Sequence, residues 1–207
     1  MNVLVIGATG TIGRQLVKQT LNEGNSVTAL VRDLSKLNIE HPSLEVVTGD
    51  VLNQPSLSRV MPGHDAVMVA LGAGMKGGIR ATGTQNVIQA MKKNGIKRLI
   101  CLSSLGVGES RGNLNFFWKY IMFGVLLRRA MKDHIAQENY VRKSELDWTI
   151  VRPAAFTDGE ATGIYQHGFG PKKKGLTLKI SRADVAHFFV NQLKDRNYLL
   201  ASPGLSY

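Results

Sequence analysis

Cysteine is nearly absent: the 207 residues contain one, Cys101, which excludes an internal disulfide framework and any cysteine-built metal cluster. A reducing, cytoplasmic location is therefore expected, with no metal site. Long hydrophobic runs are also scarce. Val3 to Ile6 is too short for a signal-peptide core, has no basic segment before it and runs straight into glycine. The twelve residues from Phe116 to Leu127 (FFWKYIMFGVLL) cannot cross a bilayer as a helix, so no transmembrane segment is expected. Internal repeats, low-complexity tracts and linkers are missing too, and one domain over residues 1–207 is expected.

Acidic residues are the third shortage. Fifteen Asp and Glu against twenty-six Lys and Arg leave a formal charge of +11, a surplus that attracts polyanions of any kind. No long basic run carries it, and nucleic acid is not expected as a partner. The densest cluster, Lys172 to Lys174, reads either as a solvated turn or as a clamp for substrate carboxylates or phosphates.

What is present is an alternation of strand-length apolar runs with helix-length segments. Strands are expected at Asn2–Gly7, Ser26–Arg32, Leu44–Asp50, Asp65–Leu71, Ile96–Ser104 and Asp147–Pro153. Ile12, Leu16, Val17, Thr20 and Leu21 recur at helical spacing up to Gly24, and further helices are expected near Pro55–Met61, Arg80–Asn94 and Tyr120–Ser144. This order predicts an α/β fold: a doubly wound parallel sheet, strand order 3-2-1-4-5-6, with a short seventh strand at Tyr198–Ala201. Phe116–Leu127 stands outside the pattern and has three readings: a helix buried on the sheet, an apolar lid or partner surface over a cleft, or a helix in a membrane interface.

The first strand ends in GATGTIGR. Its glycines, Gly7, Gly10 and Gly13, sit between a buried strand and an amphipathic helix, where backbone amides and the positive helix end face the sheet's C-terminal edge. A pyrophosphate suits that place. Gly7 permits the turn, Gly10 a close approach to phosphate and Gly13 close helix packing, while Thr9 and Thr11 add hydroxyls and Ile12 the first helical amides. Arg32 ends the second strand, where arginine pairs with the 2′-phosphate of NADP and an acid would instead take the 2′-hydroxyl of NAD. Arg14 can converge on the same phosphate, whereas the neighbouring Asp33 keeps NAD open. Asp50 and Val51 close the adenine side, with Asp50 accepting from the adenine amino group, and Leu71 and Gly72 end the fourth strand beside the cradle.

GATGTIGR, VRDLSKL, GDV, ATGTQNVIQAMKKNGIKR, LSS, ELDWTIVRP and ISRADVA together resemble the atypical short-chain dehydrogenase/reductases, and within them the NAD(P)H-binding branch that includes biliverdin IXβ reductase, also called flavin reductase. The likeness covers nearly the whole chain. It implies an oxidoreductase that uses Ser103 at the fifth strand end, and a nicotinamide side lined by Pro153, Ala154 and Ala155. That branch commonly has a histidine after the proline, where this chain has Ala154. The wider superfamily carries a Tyr-x-x-x-Lys pair as acid and support. Here Tyr140 and Lys143 are one residue too close, and counting back from Glu138 places Ala130 and His134 at the two positions. The bilin and flavin reductase branch likewise lacks the pair and carries an Asp-His-Ile resembling Asp133, His134 and Ile135.

Ser103 is either a loop cap or a partner of the nicotinamide amide or acceptor, and His134 either a ribose ligand or a backbone-bonded helix residue. Without a placed acid, carbonyl reduction is disfavoured, while hydride transfer to a flavin or a linear tetrapyrrole needs mainly positioning. An NADPH-dependent reductase of FMN, riboflavin or biliverdin is the expected function. The alternative is a non-catalytic NADP-binding redox sensor or assembly factor, and a sugar-nucleotide epimerase is poorly served by the short C-terminal region. The Arg32→Ala substitution is expected to weaken NADPH binding about tenfold or more, the value of a charge-assisted pair, with little change for NADH. Fluorescence titration with both cofactors reads the difference, and equal losses would remove the case for the 2′-phosphate.

Overall fold

The computed structural model describes residues 1–72 and 77–207. Six parallel strands follow the expected path: β1 (Asn2–Ile6), β2 (Ser26–Val31), β3 (Leu44–Thr48), β4 (Ala66–Val69), β5 (Arg98–Leu102) and β6 (Asp147–Pro153). They are ordered β3-β2-β1-β4-β5-β6. Their apolar content explains the arrangement, since every residue of β4 and β5 is buried, as a strand covered on both faces requires. The covering helices are α1 (Thr11–Asn22), α2 (Gln54–Val60), α3 (Ile79–Lys93), α4 (Arg128–Arg142) and, later in the chain, α5 (Arg182–Asn191).

Side chains alternate between two cores. Val3, Val5, Ala29 and Met68 face one cluster with Leu16 and Val17 of α1 and Phe189 of α5. Leu4, Ile6, Val67 and Val69 face the other, with Leu57 of α2, Val87 and Met91 of α3 and Val141 of α4. The registers Val5↔Ala29 and Val5↔Met68 keep like-facing residues side by side, so a slip of one residue would expose both cores.

The C-terminal part departs from expectation. Tyr198–Ala201 is not a strand: Leu200 has φ 55°, which turns the chain, and Ala201 makes only an isolated bridge to Thr149. The seventh strand lies three residues further on, and it follows β7 (Ala155–Thr157), β8 (Gln166–His167) and β9 (Lys179–Ser181) as β10 (Gly204–Ser206). It runs parallel to β6, with Gly204 opposite Arg152, and β8 adds an antiparallel edge. The β7 and β9 strands pair separately. Asp184 anchors this region, accepting from the Thr162 and Gly163 amides and from Tyr207 Oη at 2.6 Å. The expected helix over Tyr120–Ser144 is also divided. A π-helix occupies Phe117–Leu126 and α4 begins at Arg128, because Leu127 N–H bonds back to the Met122 carbonyl before α-helical pairing resumes.

The turn between β1 and α1 has no room for side chains. Gly7 has φ 87°; a Cβ there would strike the Ala70 carbonyl, and one on Gly13 would strike the Gly7 carbonyl. Backbone cannot yield as a flexible side chain does, so Gly13→Ala is expected to cost at least about 2 kcal/mol of stability. Urea unfolding checks it against Gly170→Ala, where an added Cβ meets nothing within 4 Å and the change should stay within about 0.5 kcal/mol.

Candidate active site

Two cavities meet above the C-terminal edge of the sheet. The smaller, about 140 Å3, is lined by Gly7, Thr9, Gly10, Arg32, Asp50, Val51 and Ile79 among others. The larger, about 270 Å3, is lined by Thr11, Ile12, Ser103, His134, Pro153 and Ala154, with apolar walls from Leu105, Trp118, Phe123, Leu127, Phe156 and Leu178. Gly10, Ala70, Leu71 and Gly72 belong to both. A bipartite ligand bent over the first turn of α1 would fill the pair.

That first turn is prepared for an anion. Gly10 is its N-cap and no side chain caps it, whereas Asn53 accepts from Ser56 N–H at α2 and Ser181 from Asp184 N–H at α5. The opening amides of α1 therefore have no capping side chain among the described residues, and the N-terminal end of a helix dipole favours phosphate. The donor set and the shape of the cradle fit a dinucleotide.

At the smaller cavity Arg32 is exposed, and its guanidinium has no hydrogen-bond or ion-pair partner among the described residues. Asp33 points elsewhere. Its carboxylate accepts from Ser35 N and Oγ, at 3.1 and 2.7 Å, and lies 3.4 Å from Lys36 Nζ; the Ser35 bonds hold its pKa below the ordinary carboxylate value. Arg14 does not line either cavity, because its Nη2 donates to the Lys36 carbonyl at 2.8 Å. It braces the turn after Arg32 rather than converging on the same space. Asp50 uses Oδ1 to accept from Leu52 N–H at 2.9 Å.

At the larger cavity Ser103 is buried and donates its hydroxyl proton to Glu138 Oε1 at 2.7 Å, so the oxygen turns lone pairs outward as an acceptor. Glu138 is in turn gripped by Arg152, Nε to Oε1 at 2.9 Å and Nη2 to Oε2 at 2.6 Å. Arg152 Nη1 reaches Glu109 at 2.6 Å. Burial alone would lower the Arg152 pKa, but the two carboxylates outweigh it and leave it raised. Glu109 and Arg152 were not among the expected site residues; the signal was the arginine inside TIVRP, a charge in the middle of a buried strand that requires buried polar partners.

His134 follows Asp133, whose carboxylate caps α3 by accepting from the amides of Arg80 at 3.2 Å and Ala81 at 3.0 Å. This cross-helix cap brings the imidazole to the cavity wall. Burial pushes its pKa down to about 4 and the Arg80 charge adds to that, so the ring is neutral near pH 7. Tyr140 and Lys143 do not line the cavity, and among the described lining residues there is no tyrosine, lysine or carboxylate. Lys172 to Lys174 are exposed and line neither cavity. Phe116 to Leu127 is not a buried core helix, since none of its residues is buried; Trp118, Phe123 and Leu127 wall the cavity, and Phe116, Phe117, Tyr120, Ile121, Val125 and Leu126 are exposed.

Residues 7–196 match the family described as NAD(P)H-binding. The chain belongs to this family. Among relatives of the NAD(P)H-binding chain, an uncharacterised chloroplastic protein of Arabidopsis thaliana is 32% identical over 78% of this chain and 61% of its own length. The UPF0659 protein YMR090W of Saccharomyces cerevisiae is 31% identical over 95% of this chain and 88% of its own. The photosystem II assembly factor Ycf39 of Synechocystis is 31% identical over 77% of this chain, which spans 46% of that protein. Of solved structures, the anaerobilin reductase ChuY of Escherichia coli O157:H7 superposes with TM-score 0.81 at 25% identity, over 99% of this chain and 96% of that one. A short-chain dehydrogenase/reductase of Veillonella parvula, solved with NADP, superposes at 0.84 over 100% and 94% of the two chains; at 20% identity the likeness is one of fold. No helix among the described residues is long and apolar enough to cross a membrane.

Removing the Arg152 side chain strands a buried carboxylate. Arg152→Met is expected to cost about 3–5 kcal/mol, whereas the double substitution Arg152→Met with Glu138→Gln should recover part of the loss. Denaturant unfolding of the two variants measures it, and equal losses would show that the Glu138 charge is not what Arg152 balances.

Proposed function

We propose that the chain is an NADPH-dependent reductase of a flat conjugated acceptor, either a flavin such as FMN or riboflavin or a linear tetrapyrrole such as biliverdin. The observation that carries this reading is the larger cavity, walled by Trp118, Phe123, Leu127, Phe156 and Leu178, with no tyrosine, lysine or carboxylate among its described lining residues. The cofactor, when bound, supplies a hydride from its nicotinamide. Uncapped α1 amides hold the pyrophosphate, the unpaired Arg32 selects the 2′-phosphate while Asp33 is occupied by Ser35, and Asp50 lies on the adenine side.

Ser103 would accept a hydrogen bond from the nicotinamide amide, because its own hydroxyl hydrogen is engaged by Glu138, and neutral His134 would offer a ring nitrogen to the ribose. Pro153 and Ala154 bound the nicotinamide face, and the aromatic wall orients the acceptor. Such an acceptor spreads incoming charge over its own π-system and takes its proton from water, so positioning is the protein's main task. Relatives named as divinyl chlorophyllide a 8-vinyl-reductase of Arabidopsis thaliana, 30% identical over 95% of this chain, and as anaerobilin reductase support the reductase reading.

The second reading is a non-catalytic NADP-binding redox sensor or assembly factor, which the Ycf39 likeness and the exposed apolar face of residues 116–126 favour. Loss of NADPH absorbance with FMN, riboflavin or biliverdin added in turn decides between them. Acceptor-dependent oxidation is expected, faster with NADPH than with NADH, and Trp118→Ala should raise the acceptor KM while leaving NADPH affinity unchanged. Because His134 stays neutral down to about pH 4, kcat/KM should show no histidine ionisation between pH 5.5 and 8, around the ordinary value of about 6.5. Tight NADPH binding without turnover on any acceptor would leave the second reading.

A further inference from the structure

The outward side of the π-helix is a concentrated apolar surface. Phe116, Phe117, Tyr120, Ile121, Val125 and Leu126 are between 43% and 73% exposed, six of the fourteen exposed large hydrophobic side chains among the described residues. They fall within eleven residues, whereas single exposed hydrophobics are normally scattered. Cations frame them. From Arg111 to Lys132 the chain carries Arg111, Lys119, Arg128, Arg129 and Lys132 and no acidic residue. Arg111 is held at the helix, donating to the Lys119 carbonyl at 3.3 Å, and Lys119 Nζ lies 5.6 Å from the Tyr120 ring centre. The basic turn at Lys172 abuts the same region, since Asn113 Nδ2 donates to the Gly170 carbonyl at 3.1 Å and Gly112 sits against Pro171 and Lys172.

We propose that this face seats the protein on an anionic lipid bilayer, with the apolar side chains entering the interface and the surrounding cations meeting lipid headgroups. Charge complementarity favours this occupant over a second copy, which would bring a like-charged rim against its own. The ten residues of the helix reach at most about 15 Å at α-helical rise, half the hydrocarbon thickness of about 30 Å, so the segment lies in the interface and does not span it. Aromatic and aliphatic side chains beside lysine and arginine match the layering of that interface, where each basic residue adds to the attraction of an anionic surface. The proposal is independent of the acceptor. It holds for a reductase or for a sensor, because it rests on the outer face alone.

Sedimentation of the intact chain with phosphatidylcholine vesicles, with and without phosphatidylglycerol, is the test. At low salt, binding to the phosphatidylglycerol vesicles should exceed binding to neutral ones about tenfold or more and fall as salt is raised. The triple variant Phe116→Ser, Phe117→Ser, Val125→Ser should lose that binding while keeping wild-type NADPH affinity, since none of the three lines a cavity. Equal binding to both vesicle types, no binding to either, or full anionic binding by the triple variant would each overturn the proposal. So would a stable dimer in size-exclusion chromatography that the three serines dissociate.

Discussion

The backbone of Gly13 sits so close to that of Gly7 that Gly13 accommodates no Cβ, just as the Ala70 carbonyl leaves no room for one on Gly7, and these contacts fix where α1 begins relative to the sheet. Its first turn is thereby placed at the point where the two cavities join, with Gly10 in both walls. Had α1 stood off by the width of a methyl group, Gly10 would no longer border both spaces, nor Thr11 and Ile12 the larger one. The same closeness seats Ile12, Leu16 and Val17 in the core. The placing of the first turn and the packing of α1 therefore share one steric cause, and a change that relieves the crowding at Gly13 cannot improve one without moving the other.

What was legible in the residues follows from how local the information is. β1 to β6 and the helices between them announce themselves because a buried parallel strand must be almost wholly apolar, and a covering helix must show one apolar stripe. The tight turn of GATGTIGR was legible for a related reason, since turn chemistry sits in consecutive residues. The seventh strand was misplaced because Tyr198–Ala201 has strand-like side chains while Leu200 adopts φ 55°, and the pairing went to Gly204–Ser206, only three residues long. Beyond the arginine inside TIVRP, the Glu109–Arg152–Glu138 network was hidden for the opposite reason. Its members come from a short 3-10 helix at Gly108–Asn113, a strand and an α-helix, and only folding brings them within 2.6 to 2.9 Å.

Buried charge is handled in two different ways. Arg152 and Glu138 neutralise one another with all their near atoms engaged, which satisfies two groups that would each be costly alone. Arg98 is instead solvated by neutral oxygens, the Gln192 and Asp147 carbonyls and Thr149 Oγ1, and burial lowers its pKa to about 10. The first arrangement lies directly behind Ser103, the second at the opposite end of the same strand, β5. Pinning both ends of β5 to the neighbouring β6 leaves the serine at its C-terminal end little freedom to tilt at the cavity wall.

The π-helix explains why Phe116–Leu127 resisted assignment from its residues. At the α-helical repeat of about 3.6 residues, Phe123 and Leu127 would fall within about 20° of Phe116, so the segment reads as apolar all round. Bonding from i to i+5 widens the turn to about 4.4 residues. Phe116, Phe117, Tyr120, Ile121, Val125 and Leu126 then gather on one side, and Trp118, Phe123 and Leu127 on the other, as their exposures and the cavity wall show. A wider turn sacrifices some helical packing, yet it is what allows one short segment to present a cavity wall inward and an apolar surface outward. Restoring α-helical pairing there would mix the two sets, so the irregular turn is a condition of both faces existing at once.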